Sequence, residues 1–374
     1  MGREPRAVLW YHNGEVATRI LVLGDNVAGR YIGTALAADS AFECLFGDRD
    51  PGRLRPFADQ IGVDVVGIND ADAASLAGAF NEVFAVVNTL GPFASGSYAV
   101  AQRCAACGVH YLDVASAPPY VRGVSALNRR AKATGSLVVT GASVVPAVSA
   151  ALVDYLATEF DRVGEIHTAV APLDNGHGWR EGARSVQTLA GYPMRIKQDG
   201  RWRITFGWSE PVRVDFPAPI GRRRTYLCDV ADLVLFPQRY GAKTVTFRAG
   251  LARPLLNYGA ALVSRFARRR RTAEQEPNES PAANIGLQDL LASTSGIRVA
   301  VRGLRHGEQI TRAVTLISRD RGVGAIACSP VLALLRKWVR EGVADPGARP
   351  CIDLLGLDAI KAELMDRDVV LVRS

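Results

Sequence analysis

The chain has 374 residues, a formal net charge of +8, 48% apolar residues and 22% charged ones. That is enough apolar mass for a large core and two domains, and the charge mix is that of an ordinary globular protein. No apolar run reaches the roughly 18 residues of a membrane span, and the first residues lack the apolar core of a secretory signal. The six cysteines are scattered rather than framed, which suits a reducing compartment and predicts a cytoplasmic chain with free thiols.

From Ile20 onward, short apolar runs alternate with helical stretches. The strands are ILVLG, FECLFGD, VDVVGIN, EVFAVVNT, VHYLDVA and SLVVTGA; the helices between them begin at AGRYIG, PGRLRP, DADAAS, GSYAVA and VSALNR. Six strands alternating with helices predict an α/β fold with a doubly wound parallel sheet. After about residue 160 the pattern changes. VGEIHTAVAPLD, RWRITFGW, VRVDFPAP, RRRTYLCDV, AKTVTFRAGLA, GIRVAVRGL and RAVTLISR read as strands of a mixed, mostly antiparallel sheet. Helices are expected near Gly182–Tyr192 and Leu255–Arg268. The last part, SPVLALLRKWVREG and LDAIKAELMDRDVVLV, reads as helices that pack back on the first domain. The expected divisions are 18–158 for the parallel sheet, 159–325 for the α+β domain and 326–374 for the returning helices.

The stretch RILVLGDNVAGRYIG nearly spells G-x-G-x-x-G. After the first strand of a Rossmann unit, such a loop turns backbone N–H groups toward a pyrophosphate at a helix start. Gly24 would make the turn and Gly29 the close helix contact, with Val27 between them. Asn26 stands at the middle glycine position, where Asn best tolerates a positive φ. Asp25 would repel a phosphate unless turned aside. Asp48 ends the second strand, where an acid accepts hydrogen bonds from a ribose. Arg49 beside it suits a 2′-phosphate, so NAD and NADP both remain open, with Asp48 tipping the balance toward NAD.

Other candidates sit at the same edge. VVNTLGPF places Asn88, Thr89 and Gly91 after the fourth strand, to line the nicotinamide ribose or to form a plain turn. Asp113 ends the fifth strand, as acid, base or substrate orienter, or as a helix cap. In the second domain, APLDNGHGWREGARS offers His177 for proton exchange and Arg180 and Arg184 for an anionic substrate, or is an exposed loop. FPQRYG places Arg239 and Tyr240 on a turn between strands, Arg239 for substrate and Tyr240 as a proton donor, or is a structural turn anchored by the tyrosine. Cys104 and Cys107 have redox spacing but fall within a helix and read as buried structural thiols; His110 reads as core. No metal-ligand spacing is present. The run Arg265–Arg271 reads as a solvated helix end, and no nucleic-acid motif accompanies it.

Together ILVLGDNVAGRYIG, VVNTLGPF, GVHYLDVAS, TGASVVPAVSAALV and FPQRYGAKTVTFRAGL resemble the saccharopine dehydrogenase-like oxidoreductases. The resemblance runs from Ile20 to the C-terminus and is strongest in the first 155 residues. It implies a Rossmann domain, a second mixed sheet over the nicotinamide, returning C-terminal helices, and hydride transfer with NAD(P) to or from a C=N or C=O group. It also implies that Asp113 lies near the substrate. Asn26 and Val145–Pro146 depart from the family's pattern. The expected partner is a small anionic substrate; a homodimer is left open. The alternative is a dinucleotide-binding sensor or assembly protein without turnover.

Overall fold

The computed structural model describes residues 9–12, 15–69, 72–91, 93, 98–173, 190–251, 290–319, 324–365 and 367–374. Two sheets organise the chain. The first contains β1 (Leu9–His12), β2 (Glu15–Leu23), β3 (Phe42–Asp48), β4 (Asp64–Gly67), β5 (Ala85–Asn88), β6 (His110–Asp113) and β7 (Leu137–Thr140). Helices α1 (Val27–Ala37), α2 (Pro51–Ile61), α3 (Ala73–Ala79), α4 (Ala99–Cys107), α5 (Pro118–Gly123), α6 (Asn128–Thr134) and α7 (Ser149–Ala157) punctuate it. The second contains β8 (Arg162–Ala171), β9 (Pro193–Gln198), β10 (Arg201–Phe206), β11 (Val212–Asp215), β12 (Arg222–Leu227), β13 (Thr244–Ala249), β14 (Gly296–Arg305) and β15 (Glu308–Ser318), with α8 (Asp232–Arg239) between β12 and β13. The chain then runs through α9 (Ala325–Glu341), β16 (Gly347–Pro350), α10 (Leu357–Ala362) and β17 (Val369–Arg373).

The first sheet has the order β16-β7-β6-β5-β2-β3-β4, with β1 added antiparallel to β2. The seven strands of that path are mutually parallel. Every residue of β5, β6 and β7 is buried, as expected where helices cover both faces of a parallel sheet. The order reverses between β2 and β5, so their carboxyl ends open the crevice where ligands bind in such folds. His110 is a core residue: its Nδ1 accepts from the Leu137 amide at 3.0 Å, and burial pushes its pKa down to about 4.

The second sheet runs β10-β9-β13-β8-β14-β15-β17, with β11 and β12 attached through β13. It is antiparallel except for the β8–β13 pair. One face joins the core of the first domain through Ile166, Val170, Phe247, Val299 and Val301.

The expected α/β fold with a second mixed sheet is therefore present, with four corrections. FPQRYG is not a turn between strands; Phe236–Arg239 is the last turn of α8, which continues through Pro237, and Tyr240 is its C-cap. The Pro and the following Gly read as a turn, but burial of Leu233, Phe236 and Pro237 on one side carries the helix. The final segment is not all helix. α9 packs on α1, but β16 joins the first sheet and β17 the second. β9 has no counterpart in the strands read from sequence. Cys104 is buried while Cys107 is exposed, so they are not a buried pair. The expected helices near 182–192 and 255–268 and the run 265–271 lie wholly or mostly outside the described residues. Among the described residues no helix is long and apolar enough to cross a membrane, and no cluster of His, Cys, Asp and Glu could hold a metal.

Candidate functional site

The loop after β2 is shaped by two glycines. Gly24 has φ +112°, and a Cβ there would lie 2.6 Å from Thr89 Oγ1. A Cβ on Gly29 would lie 2.1 Å from the Gly24 carbonyl oxygen. Both positions therefore need glycine, the first for its conformation and the second so that α1 can press against the loop.

Asn26 does not take the positive φ that the fingerprint suggests. It is extended, at φ −134° and ψ 178°, and is the N-cap of α1. Its Oδ1 accepts from the Gly29 amide at 3.0 Å, and its Nδ2 donates to the Thr89 carbonyl at 2.7 Å. One side chain thus caps the helix and ties it to the loop after β5. The amides of Val27 and Ala28 lie in the first turn, where an α-helix leaves its N–H groups unpaired and its dipole positive.

Asp25 does not bar an anion either. Its side chain is 5% exposed; Oδ1 is 2.5 Å from Arg30 Nε and Oδ2 is 3.3 Å from Arg53 Nε. Two guanidiniums against one carboxylate leave the loop positive overall.

These residues line a cavity of about 330 Å³ at the carboxyl edge of the parallel sheet. Asp25, Asn26, Val27 and Ala28 form one wall; Asp48 and Arg53 stand at the β3 end; Thr89, Leu90 and Gly91 follow β5; Val114 and Ser143 stand at the β6–β7 end. Leu291 and Ala292 from the second domain and Ala327 from α9 close it. The cavity thus spans the ends of β3, β2, β5, β6 and β7, crossing the point where strand order reverses.

Of the expected cofactor residues, Asn26, Val27, Asp48, Thr89 and Gly91 line this cavity, and Gly24 and Gly29 shape it. Asp48 Oδ1 also accepts from the Asp50 amide at 2.9 Å, which orients the carboxylate. Arg49 is exposed and does not line the cavity; Arg53, four residues further along DRDPGR, does. The spacing pointed to the residue beside the acid, whereas the first turn of α2 swings Arg53 over the loop. Asn88 is buried and faces inward: its Oδ1 accepts from the Leu90 amide at 3.0 Å and its Nδ2 donates to the Tyr111 hydroxyl at 3.1 Å.

The expected catalytic residues are placed otherwise. Asp113 is fully buried and does not line the cavity. Its Oδ1 accepts from the Ala115 amide at 3.0 Å and the Gly141 amide at 2.9 Å, which joins the ends of β6 and β7. Its Oδ2 has no hydrogen-bond partner, and burial pushes its pKa up to about 7. Tyr240 and Arg239 lie away from the cavity and bind Asp154 of α7: the Tyr240 hydroxyl donates to Oδ1 at 2.9 Å, and Arg239 Nη2 to both carboxylate oxygens at 2.9 and 3.1 Å. Arg239 also pairs with Asp353. These contacts brace α8 rather than face a ligand, because the helix turns both side chains toward α7. His177, Arg180 and Arg184 lie outside the described residues.

Sequence reasoning missed Asp232 at the start of α8. It is 1% exposed, neither carboxylate oxygen has a hydrogen-bond partner, and burial pushes its pKa up to about 8. A single acid within DVADLVL carries no signal of such burial.

Comparison with known proteins agrees with this geometry. Residues 20–139 match the model of the saccharopine dehydrogenase NADP binding domain. No curated protein sequence matches the chain. Among solved structures, apo saccharopine dehydrogenase (L-Glu forming) from Saccharomyces cerevisiae is similar at a TM-score of 0.67 and 15% identity, over 96% of this chain and 100% of that one. A probable dehydrogenase from Thermotoga maritima aligns over 93% of this chain and 94% of its own, at 11% identity and a TM-score of 0.42. UDP-N-acetylglucosamine 3-dehydrogenase from Acidithiobacillus ferrooxidans aligns over 94% and 87%, at 15% identity and a TM-score of 0.40. The glycine loop, the capped α1 and most of the edge cavity thus lie in the part of the chain that matches the saccharopine dehydrogenase NADP binding domain, and the fold of the whole chain is like that of the yeast saccharopine dehydrogenase.

Proposed function

We propose that this chain is an NAD(P)-dependent oxidoreductase that moves hydride to or from a C=N or C=O group of a small anionic substrate. The observation that carries the reading is the cavity itself, which runs from Asp48 to Ser143 past the N-terminus of α1 and is closed by the second domain. The nicotinamide cofactor would supply the hydride chemistry. The Val27 and Ala28 amides and the α1 dipole would hold its pyrophosphate. Asp48 would accept from the adenosine ribose, and Thr89, Leu90 and Gly91 would flank the nicotinamide ribose. Ser143 is the polar side chain at the β6–β7 end, where it would orient the reacting group. The net charge of +8 favours an anionic substrate; Arg180 and Arg184 are the residues we assign to it, with His177 for proton exchange.

Asp48 and Arg53 at one end accommodate either nucleotide: the acid suits a free ribose hydroxyl, and the guanidinium a 2′-phosphate. Titration calorimetry with NADH and NADPH tests the reading. We expect saturable binding of at least one, and Arg53→Ala to weaken NADPH about tenfold more than NADH if the guanidinium takes the 2′-phosphate. Failure of both nucleotides to bind below millimolar concentration overturns the proposal. Binding without turnover on an imine and ketone panel would favour the sensor reading instead.

A further inference from the structure

We propose that the outer face of the second sheet carries a separate site for a small oxyanion, a phosphate or a carboxylate. This face is the reverse of the one that meets the first domain. Along β8, Ile166 and Val170 point into the main core, while Glu165, His167 and Ala169 line a cavity of about 440 Å³.

The register builds the site in rows across three neighbouring strands. Arg248 of β13 and Arg298 of β14 both pair with Ala169 of β8. The next row is Thr246, His167 and Ala300, and the one beyond it Thr244, Glu165 and Arg302. Strands lie about 4.8 Å apart, so the two arginines rise about 10 Å from each other with only a methyl group between them. Ala169 floors this gap within an apolar cluster that includes Phe216 and Ile220, and both arginines line the cavity together with Val212 and Val214.

Neither arginine has a carboxylate within ion-pair distance among the described residues; Glu210 acts on Arg248 and Asp215, itself 3.2 Å from Arg222, on Arg298 only through space. Arg248 donates to the Glu210 carbonyl; Arg298 Nη1 donates to Ser374 Oγ at 2.9 Å and Thr315 Oγ1 at 3.4 Å. Most of their N–H donors are left for a ligand, and a partly buried guanidinium without an acid favours a planar oxyanion. Burial lowers the pKa of both, which a bound anion would offset.

The acids around the cavity are largely engaged. Arg203 grips Glu210 at 2.7 and 2.8 Å, and Thr205 donates to it at 2.7 Å. Glu165 faces His167 Nε2 at 3.1 Å and Arg302 at 3.5 Å. Asp199 stands beside Thr244, four residues along β13 from Arg248, or about 13 Å. The cavity is therefore positive at one end, and His167, whose Nδ1 lies 2.9 Å from Thr246 Oγ1, stands one row below the arginines.

The full chain should be titrated with inorganic phosphate and with malonate at matched ionic strength, chloride serving as the control. Saturable binding of phosphate alone assigns a phosphate ligand, and of malonate alone a carboxylate. Arg248→Gln and Arg298→Gln should each weaken that binding about tenfold or more. Ala169→Leu should block it by filling the floor while both arginines remain, and all three should leave nucleotide binding unchanged. Absence of saturable binding at millimolar anion overturns the proposal. So does binding that survives Ala169→Leu but is lost in Arg53→Ala, which would belong to the cofactor cavity. If a glutamine variant fails to fold, Ala169→Leu and Ala300→Leu decide the matter alone.

Discussion

Asn26 shows how a non-glycine residue keeps a nucleotide loop in shape. Its side chain satisfies the Gly29 amide and the Thr89 carbonyl at once, so its replacement costs both a helix cap and a tie between two loops. Asn26→Ala should lower stability by about 1–2 kcal/mol in denaturant titration, and Asn26→Gly should not improve nucleotide affinity, because the extended backbone gives glycine no advantage there. Asp113 and Asp232 make a second residue-scale statement. Their pKa values are raised by burial to about 7 and about 8, so the folded state prefers both as neutral acids. A raised carboxyl pKa favours folding fully below the ordinary carboxyl value of 3.8, and that contribution is lost as pH rises through the folded pKa. Asp232→Asn should therefore raise Tm at about pH 9 and leave it nearly unchanged at about pH 4; a calorimetric scan at the two pH values checks it. Asp113→Asn should behave alike, with its gain appearing about one pH unit lower.

At the scale of elements, the parallel domain was legible because its strands are short apolar runs set off by helical stretches, and the central ones, β5, β6 and β7, are fully buried. The second sheet was harder. β9 reads PMRIKQ, in which charged residues interrupt the apolar ones, and paired between β10 and β13 that pattern still makes a strand. α8 was hidden by Pro237 and Gly241, local turn signals that burial of Leu233 and Phe236 overrides. The same misreading displaced Tyr240 and Arg239, since a turn at the sheet edge would expose what a helix instead directs at Asp154. The glycine loop and Asp48 were legible from spacing. Arg53 was not, because its position depends on the entry angle of α2. The burial of Asp113 was not, because the strand end that makes an acid a catalytic candidate also lies deep in the fold.

At the scale of the whole molecule, the two sheets are joined by more than one passage of the chain. It crosses from α7 to β8, returns from β15 to α9, and crosses again from α10 to β17. β17 pairs with β15 along Val314–Ser318, and Ser374 exchanges backbone hydrogen bonds with Ala313 while holding Arg298 through its hydroxyl. Deleting residues 367–374 should lower Tm and speed amide exchange in β15, read by hydrogen–deuterium exchange, while β5 and β6 stay protected.

The triple crossing also limits how the cofactor cavity can open. A single covalent linker would let the second sheet swing wide of the first. Three linkers, two of them leading out of β15 and into its partner β17 in the second sheet, leave few axes about which one sheet can turn against the other. Leu291, Ala292 and Ala327 line the cavity opposite the glycine loop, so with three linkers we expect them to part from it by a small rotation. Nucleotide exchange would then be slowed where it needs the sheets to part, with residence times set by the frequency of that rotation.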